Sequence, residues 1–326
     1  MNLFSPRFAW AWALSALTAV SSWAQTPTAF PDKPIRMVLP FPPGGPTDLV
    51  ARVLAQKMSD QMGQQVVIDN KPGANGNIAA ELVAKAPADG YTLLYNTSSI
   101  ALSATLYKKL NYDVKTDFAP IALTAVIPLV LMVHPSVPVN NLQEFVQHVK
   151  ANPGKVSYGS AGNGNITHLG AYLLLQQKGL QANHIPYKGS IPALTDLVGG
   201  QTQFMTDTVN SALPFIKDNK LRAIAVTSAK PSALMPGLPT VASGGLAGFE
   251  VWSWNGLVAP IGTPPAIVAR LAADTRKAVQ TAEVRAALAR DGTEAVGSTP
   301  DEFAAFINAE LARWGRVVRA AGIKAE

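Results

Sequence analysis

Short apolar runs of strand length alternate with longer segments of helical period along most of this chain. That pattern predicts an α/β protein with a mainly parallel sheet. Residues 35–39 read as a first strand, the Pro-Phe-Pro-Pro-Gly-Gly run at 40–45 as a turn, and 46–62 as a helix with Leu49, Val50, Val53 and Leu54 on its apolar face. The alternation continues with strands at 65–69 and 91–95, a helix at 77–85 between them, and a polar loop at 96–99. Further strands are predicted at 129–134, 156–158, 184–187, 203–206 and 221–227. Helices are predicted from Leu142, over 166–178, and in a short segment ending at Gly199-Gly200. A β pattern returns over 249–258, and from Thr263 onward the chain reads almost wholly helical. Asn141 is placed to cap one helix, while Thr299-Pro300-Asp301-Glu302 carries a Thr cap, a Pro in the first turn and a Glu three residues after the cap.

This order predicts two lobes, each a mainly parallel sheet flanked by helices. Residues 25–126 with 251–326 form a discontinuous first lobe, and 127–250 the second, with a ligand cleft between them. At 326 residues the chain is beyond the size at which a single core stops growing.

Composition narrows the class. With 48% hydrophobic and 15% charged residues the chain is far from disorder. One cation, Arg7, precedes an apolar stretch at 8–20 and the small residues of Ser22-Trp23-Ala24, so residues 1–24 read as an export signal cleaved after Ala24. The apolar run is shorter than the ~20 residues that span a bilayer. The absence of cysteine excludes disulfides, thiolate metal sites, a cysteine nucleophile and a lipid-bearing cysteine. The expectation is a periplasmic protein, exported by its N-terminal signal and not lipid-anchored. The net charge of +6 is scattered, with Lys108-Lys109 the densest cluster outside the C-terminal helices. This is a poor nucleic-acid footprint and a mild field favouring encounter with anions.

In an open parallel sheet, ligands sit at the carboxyl ends of the strands, where loops lead into helix N-termini. Those termini offer unpaired N–H groups and partial positive charge. Three segments fall there: Pro43, Gly44 and Gly45; Asn96, Thr97 and Ser98; and Ser160, Ala161, Gly162, Asn163 and Gly164. Each has a plain alternative, a tight turn for the glycines and helix capping for the hydroxyls. Cations are nearly absent from these loops, so an anion carrying one or two charges is expected over one carrying three.

Several motifs in order carry a resemblance. They are Phe30-Pro-Asp-Lys-Pro-Ile35, Pro42-Pro-Gly-Gly-Pro-Thr-Asp48, Asn70-Lys-Pro-Gly-Ala-Asn-Gly76, Ala88-Asp-Gly-Tyr-Thr92, Ser160-Ala-Gly-Asn-Gly164, Pro186-Tyr-Lys-Gly189, Leu197-Val-Gly-Gly200, Leu238-Pro-Thr-Val241 and Gly256-Leu-Val-Ala-Pro260. With these the chain resembles the Bug family, the substrate-binding proteins of tripartite tricarboxylate transporters. The resemblance implies a type II periplasmic-binding-protein fold, a carboxylate ligand, membrane transporter subunits as partners, a monomer and no cofactor. It adds His168, Tyr187, Lys188, Gly189 and Asp207 to the candidate ligand-binding residues. Pro46 departs from the family pattern by removing one possible N–H donor.

Two rival classes stand beside this. A ligand-loaded partner of a membrane sensor would need the same closed surface. An exported hydrolase would use Ser160, but Tyr158-Gly-Ser-Ala-Gly162 lacks the first glycine of a nucleophile elbow. No acid lies between Ser160 and His184, the last histidine, which excludes the α/β-hydrolase order. No catalytic residue is therefore expected. The four dispersed histidines show no metal-ligand spacing, and no metal site is expected.

Overall fold

The computed structural model describes residues 30–290 and 292–323. The expected export signal lies outside them. The first stretch of chain forms β1 (Ile35–Leu39), α1 (Pro46–Met62), β2 (Val66–Asn70), α2 (Asn77–Ala84), β3 (Thr92–Thr97), α3 (Ser99–Leu106) and β4 (Phe118–Val133). The middle forms α4 (Leu142–Ala151), β5 (Ser157–Ser160), α5 (Ile166–Gln177), β6 (Asn183–Pro186), α6 (Ser190–Val198), β7 (Phe204–Thr208), α7 (Val209–Lys217) and β8 (Arg222–Val226). The last stretch forms β9 (Trp252–Pro260), α8 (Pro265–Gln280), α9 (Ala282–Arg290), β10 (Glu294–Ala295) and α10 (Pro300–Ala321).

The strands run in the order β2-β1-β3-β9-β4-β7-β5-β6, with β8 and β10 also paired to β4. Parallel pairing holds where crossover helices intervene, between β1 and both β2 and β3, and between β5 and both β6 and β7. The two long strands at the centre, β4 and β9, are antiparallel to their neighbours because the chain passes out along one and back along the other. Along β4 the partner changes: Phe118 to Pro128 lie against β9, while Leu129 to Val133 lie against β7 and β8. Pro128 has no N–H to give a ladder, and the next N–H, of Leu129, donates to the Thr227 hydroxyl at 2.9 Å. Two lobes result, one on each side of this change of partner.

Each half of the sheet is covered on both faces. In the first, Leu54 and Met58 of α1 pack with Leu271 of α8 on one face, and Val83, Ile100 and Phe303 pack on the other. In the second, Phe145 and Leu169 cover one face, Leu194 and Val209 the other. Two helices from the first half reach into the core of the second, α3 through Leu102 and Leu106 and α10 through Trp314 and Val318. The buried Glu310 carboxylate accepts from the indoles of both Trp254 (3.0 Å) and Trp314 (2.9 Å), which fixes α10 against β9.

Three departures from the sequence expectation matter for the site. The polar loop at 96–99 does not exist, because β3 continues through Thr97 and passes almost directly into α3. That helix mixes Ser99, Ser103 and Thr105 among apolar residues and is buried except at Ala104 and Thr105, so it shows no amphipathic period. Gly159 and Ser160 belong to β5 and not to a loop. Helix α7, with Pro214 inside it, follows β7 without a break. The capping box at Thr299–Glu302 and the Asn141 cap on the Glu144 N–H form as expected.

Candidate functional site

A cavity of about 170 Å³ lies between the two halves of the sheet. Four helix N-termini open onto it: α1 through Gly45, Pro46 and Thr47, α5 through Asn165, Ile166 and Thr167, α6 through Gly189, Ser190 and Ile191, and α7 through Thr208. The first turns of α1, α6 and α7 have no side-chain cap. Their N–H groups and the summed helix dipoles make the cavity suited to an oxyanion. Thr97 and Ser253 add hydroxyls from the paired strands β3 and β9. Hydrogen bonds that cross between the lobes include those from Asn165 Nδ2 to Asn75 Oδ1 (3.2 Å) and from Asn210 Nδ2 to the Pro46 carbonyl (3.4 Å).

One wall, residues 41–47, is fixed by a charged clamp. Asp48, 3% exposed in the first turn of α1, accepts from the Gly44 N–H (3.0 Å), from Arg52 (2.7 and 3.0 Å) and from Asn70 Nδ2 (3.1 Å). Asn70 also donates to the Phe41 carbonyl at 2.9 Å. Burial pushes the Asp48 carboxyl up, but these donors outweigh it and hold the group below the usual carboxylate value. Gly44 sits at φ +78°, a conformation glycine adopts without Cβ strain.

The opposite wall, residues 160–167, is fixed without charge. The Thr167 hydroxyl accepts from the Ala161 N–H at 2.8 Å, and Asn165 caps α5 by accepting from the Thr167 N–H at 3.1 Å. Gly164 N–H donates to Nδ1 of His168 at 3.0 Å. The Ser160 hydroxyl is hydrogen-bonded to Nε2 of His184 at 2.6 Å and also meets the Gly162 carbonyl and N–H. His168 and His184 stack at 3.6 Å between ring centroids, with Tyr158 against them. Burial, then the neighbouring His184, push His168 down to about 3, and burial pushes His184 down to about 4, so both rings are neutral at pH 7.

Of the residues singled out in the sequence, Pro43, Gly45, Thr97, Ala161, Lys188, Gly189 and Asp207 line the cavity. Others support this wall from behind. Ser160 is fully buried, His168 is 5% exposed and faces the underside of its own loop, and Gly162 and Gly164 set the loop's turns at φ +144° and +70°. Asn163 lies in the same turn. Gly44 supports the opposite wall through Asp48. Tyr187 packs over Gly159 and donates to Asp196 at 2.8 Å; burial and that carboxylate raise its phenol to about 12. Asn96 and Ser98 are turned away, Asn96 into a small apolar pocket with Trp254 and Phe303, and Ser98 buried at the start of α3. This follows from strand alternation once β3 is extended: if Thr97 faces the cavity, its neighbours cannot. Trp254 is fully buried core.

Reading the sequence missed Phe41, Pro42, Thr47, Ile166, Thr167, Ser190, Ile191, Thr208 and Ser253 as lining residues. An Asn-x-Thr at a helix start and a Gly-Ser before an apolar helix are signals that a search for helix starts could have used. Ser253 has no local signal.

Asp207 is the outlying acid. It is 0% exposed and lines the cavity from the end of β7. Its Oδ1 accepts from Ser190 Oγ (3.0 Å), Thr208 N–H (2.7 Å) and Thr208 Oγ1 (3.2 Å), while Oδ2 has no partner among the described residues. Burial pushes its carboxyl up to about 6 against those donors and the nearby Ser211 hydroxyl.

Comparison with known proteins agrees with this architecture. Residues 50–323 match the family described as "Tripartite tricarboxylate transporter family receptor". Protein BugT of Bordetella pertussis is 39% identical over 297 residues, covering 90% of this chain and 91% of BugT. The structure of R. palustris Rpa4515 with adipate matches at a TM-score of 0.87 and 36% identity, over 90% of this chain and 99% of that one. MatC of Rhodopseudomonas palustris with bound malate matches at 0.83 and 34% identity, over 89% and 100%. Among the described residues no helix is long and apolar enough to cross a membrane, and no cluster of three or more metal-ligating side chains occurs. This chain belongs to the family of tripartite tricarboxylate transporter receptors, the two-lobed solute-binding proteins that include the Bug proteins.

Proposed function

We propose that this protein captures a mono- or dicarboxylate in the periplasm and delivers it, as a monomer, to the membrane subunits of a tripartite transporter. The observation that carries the reading is the convergence of four helix N-termini from both lobes on one cavity, three of them without side-chain caps. Lys188 is the single cation lining that cavity among the described residues, so most compensation for ligand charge falls to fixed dipoles. Adipate and malate, bound by the two R. palustris relatives, are small dicarboxylates and give the size class. The lobes are taken as 25–126 with 251–326 and as 127–250. A ligand that touches both shifts their equilibrium toward the closed form.

A thermal-shift panel of mono-, di- and tricarboxylates tests the reading. A ligand present at 100 times its Kd adds about 2.7 kcal/mol to the folded state. No shift with any mono- or dicarboxylate, or citrate binding tighter than all of them, overturns it.

A further inference from the structure

We propose that Asp207 is the specificity-determining group of the cleft and that it holds the ligand's carboxylate through one shared proton, so that each anion captured takes up a proton from solvent. This rests on the carboxylate reading above. The geometry divides the Asp207 carboxyl into two unlike oxygens. Oδ1 is filled by Ser190, the Thr208 N–H and the Thr208 hydroxyl, whereas Oδ2 is buried without a partner in the side chain that lines the cavity. A proton on Oδ2 converts it from an acceptor facing an anion into a donor toward it.

The described side chains packed around Asp207 include no cation that would offset a second negative charge beside it. From β4, the residue opposite Asp207 is Val130. From β5, the pairing brings Tyr158 and Gly159 to the strand. From α5 comes the Thr167 carbonyl, bonded to Thr206, from α6 Ser190 and from α7 Thr208 and Ser211. His168 of α5 and His184 of β6 lie behind the 160–165 segment and are neutral at pH 7. Across the cavity, Asp48 of α1 is spent on Arg52, Gly44 and Asn70. Lys188 is exposed and makes no ion pair with Asp207. Burial already pushes the Asp207 carboxyl up to about 6, so the proton is cheap to bind near neutrality, and a ligand carboxylate beside it raises the group further. Two carboxylates in contact share one proton for this reason. The step balances as anion plus Asp207 carboxylate plus one proton giving a neutral-acid to carboxylate hydrogen bond, with no covalent change.

The test is calorimetric titration of the protein with malate and with adipate at pH 6.5, 7.5 and 8.5, in phosphate and in Tris, whose differing ionisation heats count the protons exchanged. Uptake of close to one proton per ligand at pH 7.5 and above is expected, with affinity falling about tenfold per pH unit above pH 6. Asp207→Asn places an amide N–H where the acid's O–H would be and keeps an oxygen for Ser190 and Thr208. It should bind without proton uptake and with a flat pH profile. Wild-type affinity that is flat from pH 6.5 to 8.5 with no proton exchanged overturns the proposal while leaving carboxylate capture intact, and it would mean that the ligand brings its own donor to Asp207. An unchanged pH slope in Asp207→Asn also overturns it. If neither acid binds a cooperatively melting protein at any pH, the carboxylate reading falls and this inference with it. The wild-type proton count stands even if the variant does not fold.

Discussion

Segments 41–45 and 160–165 line opposite walls of one cavity, and both turn on a glycine of nearly equal φ, yet they are held by different chemistry. The first relies on Asp48 and its partially exposed partner Arg52. The second relies on hydroxyls, an amide and two stacked neutral imidazoles. Their glycines also differ in what surrounds them. A Cβ on Gly44 would meet nothing within 4 Å, whereas one on Gly164 would overlap the Leu106 side chain, lying 2.9 Å from Cδ2 and closer to Cδ1. One wall is a surface turn pinned by charge, and the other is a plug in a core shared by both lobes. The contrast teaches that equal backbone conformation does not mean equal tolerance of change.

The sharpest way to break the comparison is to give both glycines a methyl group. In Gly164→Ala, a left-handed alanine costs about 1–2 kcal/mol, and overpacking against the buried Leu106 adds about 1–3 kcal/mol. Denaturant unfolding should therefore show a loss of about 3 kcal/mol, and a loss under 1 kcal/mol would remove the distinction between the walls.

Acid separates the walls next. The unfolded chain protonates its histidines near 6.5, while His168 and His184 in the fold resist until about 3 and about 4. The stability they confer is complete above pH 6.5 and is lost as pH falls toward those folded values. Asp48 is lowered from 3.8, so its contribution is intact above 3.8 and is lost only as pH falls through its lower folded value. Going from pH 7.5 to 5, hydrogen exchange corrected for its intrinsic pH dependence should quicken over 160–168 and stay level over 44–52. Equal responses in the two segments would count against the assignment. The smallest effect is Gly44→Ala, where backbone strain alone predicts a loss of about 1 kcal/mol by the same unfolding measurement.

Much of the fold is legible in the chain because its signals are local. The first strand and the helix after it follow from period and from a Gly-Gly stop, and the Thr299 capping box names its own helix start. Elements without such signals stay hidden. Helix α3 is buried except at Ala104 and Thr105, and the first half of β4 carries Pro120, a residue that argues against a strand unless pairing shifts beside it, as it does here.

The same division holds at the site. The sequence alone determined that two glycine-rich helix starts, at 44–45 and 160–165, belong to the site, and that arginines do not cluster there. Only the tertiary structure decided which side of each segment faces the cavity. It turned Ala161 toward the cavity and Ser160 away, and brought Ser253 up from β9. It stacked His168 on His184, and it buried Asp207 with one oxygen satisfied and the other not. The physical reason is range. A cap or a turn is set by neighbours a few residues away, whereas burial, desolvation and the facing of side chains across a cleft depend on contacts between residues far apart in the chain, which no local period encodes.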